Sequence, residues 1–187
     1  MLSLSDDNYV VGVDPSLSNT GVTIISNKEE LCYSIKTKPP KEFSFLAELN
    51  RIESIVCQVI DCFKKDKKPV LIVMEGMAFM AHNTTALIQL SALNYFLRKA
   101  FKELEVVFVI APPTTLKKFI TSKGNAHKEL ILLECYKRWK KEFSDNNIAD
   151  SYGLAKIAEA LIDSDSEDAK NLTKSQQEVI NLLSAQL

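Results

Sequence analysis

The sequence predicts an α/β domain on a five-stranded mixed sheet, antiparallel in its first half and parallel in its second. Three observations carry this. Apolar, β-branched runs at 8–14, 20–26 and 30–36 follow one another with only turns between them. From residue 43 onward, segments with helical apolar spacing alternate with two further apolar runs, at 70–75 and 105–110. Two of the runs, Val10-Val11-Gly12-Val13-Asp14 and Val70-Leu71-Ile72-Val73-Met74-Glu75, close on an acid.

Taken in order, Ser18-Asn19 and Asn27-Lys28-Glu29-Glu30 are the turns between the first three strands. Phe45, Leu49, Ile52, Val56, Val59, Ile60 and Phe63 give residues 43–64 the stripe of an amphipathic helix, which the run Lys64-Lys65-Asp66-Lys67-Lys68-Pro69 ends. Asn83-Thr84-Thr85 offers caps for a helix through about Lys102. Leu87, Leu90, Leu93, Leu97 and Phe101, with Ile88 and Tyr95, make that helix apolar on more than one face. It is either a plain core helix or one whose second face meets a partner. Pro112-Pro113 stop the fifth strand, and residues 126–142 and 148–162 read as helices.

A chain of 187 residues with 46% hydrophobic residues fits one domain over 1–187, with a core over about 8–162 and a C-terminal helical tail over 163–187. The apolar runs are too short for a membrane span and the N-terminus lacks a secretory pattern, so a cytoplasmic protein is expected. Cys32, Cys57, Cys62 and Cys135 form no CxxC pair and no zinc-like grouping with His82 or His127, and are expected as reduced core residues. The net charge of −1 hides an asymmetry. Residues 112–141 hold eight Lys and Arg against two Glu, whereas 142–187 hold nine Asp and Glu against three Lys. The basic block has the footprint of phosphate contacts, and the acidic block reads as a metal site followed by a solvated tail.

A third acid, Asp150, opens the apolar helix at Ala149-Asp150-Ser151-Tyr152. Any one such acid is an ordinary turn or cap residue. Three of them, at two strand ends and one helix start, can converge, and a carboxylate cluster is costly to keep ionised without cations. The pattern points to divalent-metal phosphate chemistry.

The local motifs narrow this. Gly12-Val13-Asp14-Pro15-Ser16 with Asn19-Thr20-Gly21, then Met74-Glu75-Gly76, then Ala111-Pro112-Pro113-Thr114-Thr115-Leu116-Lys117-Lys118 running on to Lys123-Gly124-Asn125-Ala126-His127-Lys128, and last Asn147-Ile148-Ala149-Asp150-Ser151-Tyr152-Gly153-Leu154-Ala155 resemble the four successive motifs of RuvC-type Holliday junction resolvases. These belong to the ribonuclease H-like superfamily. The resemblance covers roughly residues 8–162, and its style is that of the bacteriophage and prophage branch. It implies a homodimer that grips a four-way DNA junction and nicks two opposing strands, with two Mg²⁺ per active site, Mn²⁺ substituting, and no small-molecule cofactor.

By the same resemblance, Asp14 bridges the two ions, Glu75 binds one and Asp150 the other. The family usually has Asp or His three residues before the last acid, where this chain has Asn147. An amide oxygen can coordinate Mg²⁺ but cannot accept a proton at ordinary pH, so Asn147 is either a weaker ligand or the helix N-cap. Asp145 is a further acid nearby. Lys117 and Lys128 match basic positions that hold phosphate beside the site, where Lys128 also stabilises transition-state charge. Lys118 and Lys123 add backbone contacts. Phe79 aligns with an aromatic that wedges into the junction, and its alternative is a core residue. The helix after Asn83 contributes to the dimer interface.

Two rival readings remain. Sugar kinase and actin-like ATPases share the sheet and a first-strand Asp, but they need glycine-rich phosphate loops, and the chain has only five glycines. A junction-binding protein that does not cut is the other, kept open by Asn147.

Overall fold

The computed structural model describes residues 4, 8–42, 44–77, 84–162 and 171–187. Five strands, β1 (Val10–Asp14), β2 (Asn19–Ile25), β3 (Glu30–Lys36), β4 (Leu71–Glu75) and β5 (Phe108–Ala111), form one sheet in the order β3-β2-β1-β4-β5. β1 pairs antiparallel with β2 and β2 with β3, whereas β4 runs parallel to both β1 and β5. The mixed α/β sheet is as expected. The described helices are α1 (Phe45–Asp61), α2 (Thr84–Glu103), α3 (Pro113–Thr121), α4 (Lys128–Trp139), α5 (Asn146–Ile162) and α6 (Lys174–Ser184).

The pleat sorts the strand residues into two cores. Val11 and Val13 of β1, with Ile72 and Met74 of β4, face α1 and α2, where Ile52, Ile55, Val59, Leu93, Leu97 and Phe101 are buried. Val10, Leu71 and Val73 face the opposite layer of α3, α4, α5 and α6. Because successive strand residues alternate, Asp14 and Glu75 have the parity of Val10 and Val73 and stand on the α5 side. The site is therefore written into the alternation of two strands.

α1 starts where Ser44 caps it, accepting a hydrogen bond from the Ala47 amide at 3.0 Å. Glu105, with φ of 55°, turns the chain after α2 and delays β5 to Phe108 rather than 105. The Pro112-Pro113 pair does more than stop a strand. Pro113 sits in the first turn of α3, where its missing N–H has no intrahelical role, so the basic segment continues as a helix that the sequence reading left out.

The C-terminal helix lies within the expected tail, yet it is not a solvated appendage. α6 begins with a capping box between Thr173 and Gln176 and buries Val179, Ile180 and Leu183 in the α5-side core. Just past it, Gln186 pairs with the free edge of β5: its Nε2 donates to the Ile110 carbonyl and the Ile110 amide donates to its Oε1, both at 3.0 Å. A side-chain amide thus blunts an open sheet edge.

The cysteine expectation needs correcting. All four are free, but Cys32 and Cys57 are exposed, Cys62 is half-buried, and only Cys135 lies in the core. Cys32 lies on the α5-side face of edge strand β3, where its Sγ accepts from the Thr23 hydroxyl, and Cys57 lies on the solvent face of α1; the apolar neighbours of each in sequence point the other way. Among the described residues no helix is long and apolar enough to cross a membrane.

Candidate active site

β1 and β4 run parallel with Val13 opposite Met74, so the next pair in register is Asp14 and Glu75. Their carboxyl groups interact directly, so that each alters the other's affinity for a proton. Asp150 approaches from above on α5. Asp14 is buried, at 6% exposure, and Glu75 and Asp150 are half-buried. Burial first, and then the charges of Glu75 and Asp150, hold the Asp14 carboxyl well above its usual range. Burial and the Asp150 charge push Glu75 up to about 7, and burial pushes Asp150 up to about 6. Lys117 and Lys128 pull both of these back down, and Lys128 also acts on Asp14. Two of the predicted lysines therefore stand within electrostatic reach of the three predicted acids.

Two glycines bring α5 this close. A Cβ on Gly12 would lie 2.1 Å from the Ser151 carbonyl oxygen and 2.3 Å from the Ala155 nitrogen, and one on Gly21 would lie 2.1 Å from the Asn147 carbonyl oxygen. Since Gly21 pairs with Asp14 across β1 and β2, the N-terminal end of α5 rests on the sheet beside the first acid. Thr23 and Ser151, whose hydroxyls lie 2.9 Å apart, join strand and helix further along.

The start of α5 differs from the sequence reading. The helix begins at Asn146, so Asp150 lies one turn inside it rather than at its opening. Asn147 is not the N-cap. Asp145 fills that role: its Oδ1 accepts from the Asn147 amide at 2.9 Å and its backbone carbonyl from the Ala149 amide at 3.1 Å. The Oδ2 of Asp145 accepts from the Asn19 side chain at 2.5 Å, so both oxygens are engaged and Asp145 is no additional cation ligand in this arrangement. The side-chain NH₂ of Asn147 donates to the Asn19 carbonyl, which leaves its amide oxygen as the face the residue can offer elsewhere.

Oxygen-only donors of this kind suit a hard divalent cation such as Mg²⁺ or Mn²⁺. Asp150 Oδ1 is buried without a hydrogen-bond partner, which is the condition of a ligand atom that lacks its cation. Among the described residues no three His, Cys, Asp or Glu side chains form a ready-made metal cage. Asp150 acts on Asp14 and Glu75 through its charge, and the oxygen donors present fit a hard cation.

The family pattern described as crossover junction endodeoxyribonuclease RuvC matches residues 10–157. The chain belongs to the RuvC family. Among solved structures it is similar to Thermus thermophilus RuvC, at 20% identity and a TM-score of 0.63, over 79% of this chain and 90% of that chain. It is similar also to the T. thermophilus RuvC structure described as in complex with Holliday junction substrate, at 20% identity and a TM-score of 0.60 over the same shares. These likenesses carry the ribonuclease H-like fold. No curated protein matches the chain in sequence.

Within this RuvC-family chain the other expected residues separate. Lys128 is the first residue of α4 and Lys117 lies on α3, so two helices aim one lysine each at the carboxylates. Lys118, on the same helix, instead forms an ion pair with Glu178 of α6 at 2.7 Å. Lys123 is exposed in the turn between α3 and α4. Phe79 lies outside the described residues, as does Asn83. Sequence reasoning missed the work of Asn19. It stood inside a quoted motif, and only the structure reveals that it faces the start of α5. The two glycines of that motif were signals of close approach.

Proposed function

We propose that the chain is a metal-dependent endonuclease that resolves four-way DNA junctions, with the cluster of Asp14, Glu75 and Asp150 as the observation that carries the reading. Family membership supports the reaction class, and three desolvated carboxylates, with Asp14 under the charges of both others, support the cation. Asp14, Glu75 and Asp150, with the amide oxygen of Asn147, would hold two Mg²⁺ or Mn²⁺ ions. Bound there, the ions supply an activated water and neutralise charge on the phosphate during phosphodiester hydrolysis.

The chain's own residues set up that chemistry. Lys117 and Lys128 favour the ionised forms of Glu75 and Asp150 and so prepare them as ligands. The same two ammonium groups hold the non-bridging oxygens of the phosphate to be cut, where Lys128 stabilises the added charge of the transition state. Lys123, and Lys118 if it exchanges Glu178 for phosphate, take the neighbouring backbone. Phe79 would wedge into the junction. Paired nicks need two sites. On α2, Ile88 and Tyr95 are 63% and 65% exposed while Leu93, Leu97 and Phe101 of the same helix are buried. That outer face is the one proposed to meet a second copy. The setting would be the cytoplasm of a bacterium or a phage-infected cell.

A four-way junction labelled on each strand in turn tests this. With Mg²⁺, symmetric nicks in two opposing strands are expected. A protein that binds the junction and leaves every strand intact would overturn the reading in favour of a non-cutting junction binder.

A further inference from the structure

Asn19 and Asp145 form a two-residue clamp that holds α5 against the sheet. Each atom of the clamp has one assignment that hydrogen bonding permits. Asp145 Oδ2 faces Asn19 at 2.5 Å and can only accept, so the Asn19 NH₂ is the donor. Asn19 Oδ1 then accepts from the Ser34 hydroxyl at 2.6 Å, on β3. Asp145 Oδ1 caps α5 through the Asn147 amide at 2.9 Å, and the Asn147 NH₂ donates back to the Asn19 carbonyl. β3, β2 and the first turn of α5 are thereby joined, with both Asp145 oxygens and both polar atoms of the Asn19 side chain used.

The clamp lies across α5 from a repulsive contact. Asp150 carries the same charge as Asp14 and Glu75 and raises the proton affinity of both, so its carboxylate does not attract α5 to the sheet when all three are ionised. Asp150 sits one turn beyond Asn147, and Asn147 rests on Gly21, the partner of Asp14 in the sheet.

We propose that Asn19 and Asp145 are positioning residues for the metal cluster: through the first turn of α5 they fix where Asp150 and Asn147 stand relative to Asp14 and Glu75, and so set cation affinity. This rests on the metal-dependent reading above. Partners of this kind, one layer behind the ligands, change metal affinity by about 10- to 100-fold when lost.

The test uses Mn²⁺ alone as probe, followed by the resonance of the free ion, without DNA or turnover. Asn19→Asp sets two carboxylates face to face, whereas Asp145→Asn is accommodated if the Asn19 amide turns over and the Ser34 hydroxyl accepts in place of donating. The double exchange restores the bond between the two side chains with its polarity reversed, keeps the cap on the Asn147 amide, and leaves the net charge unchanged. Asn19→Asp is expected to weaken Mn²⁺ uptake about tenfold, and the double exchange to return it close to the wild-type value. Asn19→Ala, which introduces no repulsion, should weaken uptake several-fold and serves if a single exchange fails to fold. Wild-type uptake in all of these variants would overturn the positioning role, as would a folded double exchange that remains weak. A purely structural brace would shift the metal-free melting temperature and leave Mn²⁺ uptake alone. A wild-type protein that takes up no Mn²⁺ would overturn the metal reading itself, an outcome distinct from unchanged variants beside a wild type that binds.

Discussion

Asp14 and Glu75 end neighbouring parallel strands side by side, and the carboxyl group of each alters the other's affinity for a proton. Two acids so placed cannot both ionise cheaply in a buried setting. The sheet register holds them together and the glycine-lined approach of α5 brings up a third, so the geometry is imposed by the fold rather than by attraction within the site. Such an arrangement stores a demand for positive charge, which Lys117 and Lys128 meet in part.

Stability without metal should therefore fall as pH rises. Glu75 moves from 4.5 to about 7 and Asp150 from 3.8 to about 6 on folding, so the folded chain binds these protons more tightly than the unfolded chain. The stabilisation is fully present below about pH 4 and is lost as pH climbs through about 6 to 7. Thermal unfolding in EDTA should give a lower Tm at pH 8 than this site's contribution allows at pH 5. Added Mg²⁺ should raise Tm most at pH 8, where protons no longer compete. An equal Mg²⁺ effect at both pH values would contradict this.

Asp14→Asn should abolish cleavage and leave junction binding nearly intact, because the lysines and not the acids hold the backbone. It should also raise metal-free stability at pH 8, because a neutral amide removes one buried negative charge from beside Glu75 and Asp150. Urea unfolding in EDTA and a gel-shift with a four-way junction check both parts. A variant cutting at the wild-type rate would remove Asp14 from the site.

The sheet was legible because its signals are local. Strand alternation at Val10–Asp14 and Leu71–Glu75 already fixes which acids share a face, and the turn at Ser26, whose amide donates to the Glu29 carbonyl, closes the expected hairpin. What failed depended on partners distant in sequence. Asn147 reads as a cap because asparagine favours that position, yet Asp145 takes it once Asn19, 126 positions away from it in sequence, supplies a donor for its second oxygen. α3 was hidden by the two prolines that normally announce an end. Cys32 and Cys57 sit among apolar neighbours in sequence, but an exposed position on an edge strand or on a helix is not visible from neighbours alone.

Gly12→Ala should be poorly tolerated. Its methyl would meet two backbone atoms of α5, which cannot rotate aside as a side chain would. A cost of about 1–3 kcal/mol is expected from such overpacking, together with weaker Mn²⁺ uptake as α5 lifts. Urea unfolding showing wild-type stability would refute the tight contact between β1 and α5.

Exposed apolar residues on α2 should matter for self-association and little for folding. Ile88→Glu and Tyr95→Glu are expected to shift sedimentation toward monomer with Tm nearly unchanged, since both side chains are largely in solvent in the single chain. Leu90→Glu differs, because Leu90 packs against the buried cluster under α1 and α2 and the charge should destabilise the chain itself. A monomeric wild type at micromolar concentration, unchanged by junction DNA, would refute this interface.

The most direct test joins the three acids to one reaction. Strand-specific cleavage of a labelled four-way junction should be measured for the wild type and for Asp14→Asn, Glu75→Gln and Asp150→Asn, each with Mg²⁺ and with EDTA. Paired nicks are predicted for the wild type with Mg²⁺ alone, with no nicks from any of the three variants although all three still bind the junction. Cleavage by the wild type in EDTA, or undiminished cleavage by any one of the variants, would contradict a metal cluster built from Asp14, Glu75 and Asp150.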